Sequence, residues 1–130
     1  MRSVDTNILV RALTGDDKAQ SPAAVAFIQQ NGPVWISHAV LMETMWVLEA
    51  VYNQAKPQLV EALARISDNK DLALEEPAVV RAALLLYQSK GKLDFEDCLI
   101  LEIARKAGHL PFSTFDKVLA KMEGAESLTP

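Results

Sequence analysis

Four short stretches place acid where a half-hydrophobic chain has little structural use for it. Asp5 follows the apolar Val4 and precedes Thr6 and Asn7. Glu43 lies in the helix-forming run 38–52, and its helical neighbours Ala39, Val40, Trp46 and Val47 are all apolar. Asp94 and Asp97 stand one helical turn apart, and the other neighbours of Asp97 are Leu93, Ile100 and Leu101. Asp116 follows Ser113-Thr114-Phe115. A carboxylate on an apolar helix face is costly unless it is paired or bound to a cation. Two carboxylates stacked within one turn oppose each other's ionisation unless a cation sits between them. Oxygen donors of this kind suit hard divalent cations, magnesium or manganese. A pair of such ions, about 3.5–4 Å apart, polarises a phosphodiester and steadies its leaving oxygen. No His triad or thiol site accompanies the acids, so phosphate chemistry fits them better than acyl transfer.

Each acid also has a plainer reading. Asp94 and Asp116 are natural helix N-caps. Asp5 is an ordinary turn residue, and Glu43 could pair with an arginine in the core. Their joint placement, at the ends of strands and in the first turns of the helices that follow, is what points to a site. In open α/β folds ligands bind at the carboxyl ends of the strands.

The elements that must position these acids follow from periodicity and punctuation. Val4 belongs to a short first strand, and Thr6 is the expected N-cap of a helix over 7–13. Gly15-Asp16-Asp17 is a turn. A helix over 18–30 buries Ala23, Ala24, Phe27 and Ile28, and Asn31-Gly32-Pro33 stops it. Val34-Trp35-Ile36 is a strand, and Ser37 caps a helix over 38–52 that is apolar on most sides and expected to be largely buried. Further helices are expected over 58–67, 77–89, 94–107 and 117–122, and further strands at 72–74 and 110–113 with an edge at Leu128. Lys90-Gly91-Lys92 reads as a basic loop. Strands alternating with helices predict an α/β fold with a parallel sheet covered on both faces.

At 130 residues the chain is expected to form one domain, residues 1–130. A formal net charge of -4 gives it no bulk attraction to nucleic acid, so any such contact must be local or cation-assisted. The single cysteine, Cys98, excludes an internal disulfide. No apolar run reaches the roughly 18 residues of a membrane span, and Asp5 and Asn7 interrupt any signal-peptide core. A cytoplasmic protein without membrane contact is expected. A Walker A loop and a Gly-x-Gly-x-x-Gly run are both missing, so nucleotide-cofactor binding has no support.

The stretches 4–10 (VDTNILV), 42–48 (METMWVL), 94–100 (DFEDCLI) and 113–117 (STFDK) together resemble the four sequence blocks of PIN-domain ribonucleases, and within them the bacterial VapC toxins. The resemblance implies a PIN-like three-layer α/β/α sandwich around a short parallel sheet. It implies RNA cleavage dependent on magnesium or manganese, with Asp5, Glu43, Asp97 and Asp116 as the catalytic and metal-binding acids and Asp94 as an auxiliary metal ligand. Asn7 and Thr114, and with them Thr6, match small polar positions that support the acids. It further implies a cognate antitoxin protein as partner. Arg11 and Lys117 are the basic residues expected to touch RNA, Lys117 because it adjoins Asp116. Met42, Met45 and Trp46 are expected in the core or on a homodimer surface. His38 and His109 lie outside the four blocks and are read as helix-end or loop residues. Two other functions compete: a metal-dependent phosphatase using Asp5 as nucleophile, which would want a second aspartate where Asn7 stands, and a non-catalytic module binding a basic partner.

Overall fold

The computed structural model describes residues 1–89 and 91–130, so Lys90 of the expected basic loop lies outside the described residues. The chain divides into two compact units, Met1–Pro77 and Ala78–Pro130.

The first unit opens on Ser3, whose backbone makes a single parallel bridge to Trp35, while the Trp35 N–H donates to the Arg2 carbonyl at 2.7 Å. The expected first strand is thus reduced to one bridge, because Asp5 starts the next helix two residues later. That helix, α1 (Thr6–Thr14), ends at Gly15, whose φ of 65° is the left-handed conformation a glycine adopts without steric cost. Helix α2 (Gln20–Asn31) packs against α1, and so does α3 (His38–Ala50). Strand β1 (Val34–Ile36) pairs in parallel with β2 (Leu72–Leu74), Val34 opposite Leu72 and Ile36 opposite Leu74. The crossover that a parallel pair requires runs through α3 and α4 (Lys56–Asp68). Leu9, Val10, Ile28, Val34, Ile36, Leu41, Met45, Leu48, Leu63 and Ile66 are buried.

Helix α3 is not buried all round. Ser37 caps it as expected, its Oγ accepting from the Val40 N–H at 3.1 Å. Leu41, Thr44, Met45 and Leu48 point inward, but Ala39, Glu43, Trp46 and Ala50 form an exposed stripe, with Trp46 57 % exposed. An apolar residue on every side of a helix does not say which side lacks a neighbour. Glu43 therefore needs no core arginine, since it faces solvent.

The second unit consists of α5 (Pro77–Ser89, entered from the last residue of the first unit), α6 (Phe95–Ala107) and a parallel strand pair, β3 (Phe112–Thr114) with β4 (Ala125–Ser127). Gly108, at φ 82°, closes α6 by donating to the carbonyls of Ala104 and Arg105. The ring of Tyr87 meets Phe95 edge-on, centroids 5.9 Å apart. Arg105 donates to Glu102 at 3.1 Å and to the Glu123 carbonyl at 2.6 Å, tying α6 to the segment before β4. Where a helix was expected over 117–122 there is one 3-10 turn, Leu119–Lys121. The edge expected at Leu128 falls at β4 instead, with the Leu128 N–H still donating to the Thr114 carbonyl at 2.9 Å. Among the described residues the strands form two separate parallel pairs, one per unit, and no helix is long and apolar enough to cross a membrane.

Candidate active site

In the first unit Asp5, not Thr6, is the N-cap of α1. Its backbone is extended and its Oδ1 accepts the Ile8 N–H at 3.0 Å, while Thr6 is the first helical residue. Asp and Thr both cap well, so the sequence left the boundary open by one residue. A cap of this kind contributes about 1 kcal/mol. Among the described residues no hydrogen bond reaches Asp5 Oδ2. Glu43, on the exposed stripe of α3, has neither a hydrogen bond nor an ion pair among them. Asp5 and Glu43 line one cavity of about 570 Å³ whose apolar wall includes Val10, Val40 and Val47. Asn7 and Thr6 line it too, but the Asn7 amide donates to Gln20 at 3.4 Å rather than to an acid.

Arg11 and Tyr52 complete that wall. Arg11 Nε donates to Gln20 at 3.0 Å, and its Nη1 donates to Asp16 at 3.0 Å and to the Tyr52 hydroxyl at 3.4 Å. Asp16 also accepts the hydroxyls of Tyr52 at 2.7 Å and Thr14 at 2.8 Å. These donors, Tyr52 and Thr14 foremost, hold the Asp16 carboxyl down to about 2. Sequence reasoning missed Asp16 and Tyr52. The only local signal was a Gly-Asp-Asp turn, and the partners are 36 residues apart.

In the second unit Asp94 occupies the N-cap position of α6 with extended backbone, yet its side chain makes no capping bond. Instead the Asp97 carboxylate accepts the Asp94 N–H, one half of a capping box. Asp97 is partly buried. Its carboxyl is pushed up, first by burial and then by the negative charges of Asp94 and Asp116. Asp97 therefore senses both of the other acids of this unit. Asp116 spends Oδ1 on capping, accepting from Val118 N–H at 2.8 Å and Leu119 N–H at 3.0 Å. Thr114 Oγ1 accepts the Asp116 N–H at 3.0 Å, so Thr114 fixes the turn that carries the acid. Lys117 is exposed and makes no ion pair among the described residues.

In the second unit the carboxylates of Asp94 and Asp116 oppose the ionisation of Asp97, and an all-oxygen set of this kind suits a hard cation. Among the described residues no group of three or more His, Cys, Asp or Glu side chains comes together in a way that could hold a metal ion. Magnesium does not require one, because it keeps several waters and uses one or two carboxylates. Asp94→Ser tests the donor role directly, since the lost carboxylate was not capping its helix. The expected result is a metal requirement displaced to higher concentration, with stability changed by less than about 0.5 kcal/mol, as for other surface substitutions. Cleavage rate against magnesium concentration, alongside a melting curve, is the measurement. An unchanged metal titration would remove Asp94 from the site.

The family profile described as PIN domain matches residues 3–125 and so runs through both units. No curated protein and no solved structure matches the chain. PIN domains are generally nucleases, typically metal-dependent hydrolases of nucleic acid.

Proposed function

The chain belongs to the PIN-domain family, with a mixed α/β fold of the PIN-like kind, and on that premise we propose that it is an endoribonuclease using magnesium or manganese, and a VapC-type toxin restrained by a cognate antitoxin. The observation that carries the reading is that all five acids keep a carboxylate oxygen out of the hydrogen bonding of their own element. A fold that used these residues only as caps would not leave Glu43 and Asp94 without partners. The reading takes residues 1–130 as one catalytic domain, because the family match spans both units and each unit carries part of the acid set.

In this reading Asp5, Glu43, Asp97 and Asp116 hold the cation, with Asp94 assisting. A bound divalent ion would polarise the phosphoryl oxygen and stabilise the negative charge that develops during hydrolysis. The chain's own contribution is positioning. Asp5 and Asp116 are fixed by the backbone N–H groups they cap, and Asp97 by the Asp94 N–H. Val10, Val40 and Val47 supply the apolar part of the cavity, while Asp5 and Glu43 stay exposed on it and open to an incoming cation. Lys117, beside Asp116, offers a charge to a phosphate. The exposed Trp46 and Val51 give a homodimer or an antitoxin apolar surface to cover. An inhibitor of such an acidic site is best equipped with arginine, whose planar fork matches carboxylates. The cytoplasm is the compartment in which RNA and antitoxin would meet it.

Expression in a bacterial host tests the toxin reading. Wild-type chain is expected to arrest growth, Asp5→Ala to leave it unaffected, and the product of an adjacent antitoxin gene to restore it. Equal harmlessness of soluble wild type and Asp5→Ala across several hosts would overturn it.

A further inference from the structure

We propose that Asp16 and Tyr52 are positioning residues that set Arg11 as a contact for a backbone phosphate of a single-stranded RNA in the cavity carrying Asp5 and Glu43. The inference deepens the nuclease reading and rests on it. An anionic substrate entering beside two carboxylates needs a cation in the same cavity. Arg11 is the one cationic side chain among the described residues lining that cavity. Its side chain is long, and fixing such a chain at the moment of binding costs rotamer entropy.

The structure fixes it beforehand. Gln20 takes Nε, and Asp16 takes Nη1, each at 3.0 Å. Asp16 is itself held from two sides, by the Thr14 hydroxyl on Oδ1 and the Tyr52 hydroxyl on Oδ2. The network thus joins α1, the turn after it, the start of α2 and Tyr52, two residues beyond α3. An exposed ion pair alone contributes little to stability. Arg11 and Asp16 side chains are 27 % and 38 % exposed, so stability is a weak reason for so many donors converging on one carboxylate. What the convergence does achieve is a guanidinium with a single orientation. Nη2 has no partner among the described residues and remains for a phosphate oxygen.

The opposite reading is that Asp16 masks Arg11 by neutralising it. The two readings give opposite signs when the Asp16 charge is removed. The test is steady-state cleavage of a single-stranded RNA oligonucleotide, with magnesium or manganese, at several salt concentrations. Arg11→Gln is expected to raise KM and to flatten the salt dependence by about 0.7 in log–log slope, the value for one phosphate contact on a single strand. Asp16→Asn and Tyr52→Phe are expected to raise KM about threefold to tenfold with kcat within twofold, the sign of lost binding rather than lost chemistry. Tyr52→Phe keeps the ring and removes only the hydroxyl, so it decides the matter if Asp16→Asn melts early. An active wild type with KM unchanged or lowered in Asp16→Asn and Tyr52→Phe overturns the positioning role and leaves the nuclease reading standing. A wild type that cleaves no RNA with either metal overturns both.

Discussion

RNA cleavage by this chain is expected to disappear in EDTA and return when magnesium or manganese is restored in excess. The expectation follows from the charge balance. Asp97 is partly buried and lies under the influence of Asp94 and Asp116, and Arg105, the charged latch of its helix, is turned toward Glu102 and Glu123. In the first unit Arg11 is the one cationic side chain among the described residues lining the cavity, set against the two carboxylates of Asp5 and Glu43. A phosphodiester adds further negative charge on attack. Without a divalent ion there is little to stabilise it, and a stabilisation of about 4 kcal/mol lost corresponds to roughly a thousandfold in rate. Single-turnover cleavage of labelled RNA with chelator, and with each metal added back, is the measurement. Undiminished cleavage in chelator would end the proposed mechanism.

Asp97→Asn is expected to abolish cleavage while leaving the thermal midpoint at neutral pH the same or higher. The carboxyl of Asp97 is raised in the folded chain, so the fold favours its protonated form. By linkage, the stabilisation from that proton is present at low pH and lost as pH rises through the raised folded value. At neutral pH the ionised side chain works against the fold, and asparagine removes that charge while its carbonyl still accepts the Asp94 N–H. The gap between variant and wild type should close as pH falls below about 4, the ordinary carboxylate value. Added magnesium should raise the wild-type midpoint more than that of the variant, since a ligand at a hundred times its Kd contributes about 2.7 kcal/mol. Calorimetry at pH 4 and pH 7, with and without metal, reads both effects. A midpoint lowered by more than about 5 °C at pH 7, equivalent to roughly 1 kcal/mol or more, would show that Asp97 is a structural cap.

Much of this was legible in the residues themselves. Ser37, Gly32-Pro33 and Gly108 punctuate helices where their chemistry says they should, and β1 and β2 lie where short apolar runs sit between helices. What periodicity could not supply was the surroundings. Helix α3 is apolar on most sides, yet only packing decides that Trp46 and Glu43 face outward. The first strand shrank to a bridge because capping at Asp5 overrides a two-residue β preference. The acids were visible by type and spacing, and so was the alternative that Asp94 and Asp116 are caps. Geometry separated the two: Asp116 does cap, and Asp94 does not. The Arg11–Asp16–Tyr52 network joins residues distant in sequence through a surface turn, and no local pattern encodes it.

The contrast between Asp5 and Glu43 decides how a harmless form of the protein should be made. Asp5 holds the first turn of α1, so replacing it by alanine removes a capping bond together with the charge, and a silent phenotype would mix lost chemistry with a loosened helix. Glu43 carries no such second duty, because nothing in its own unit leans on its carboxylate. Glu43→Gln is the disarmed chain that should express in quantity, keep its melting behaviour and still present an undistorted surface to RNA and to an inhibitor. It is the form to immobilise when fishing for either.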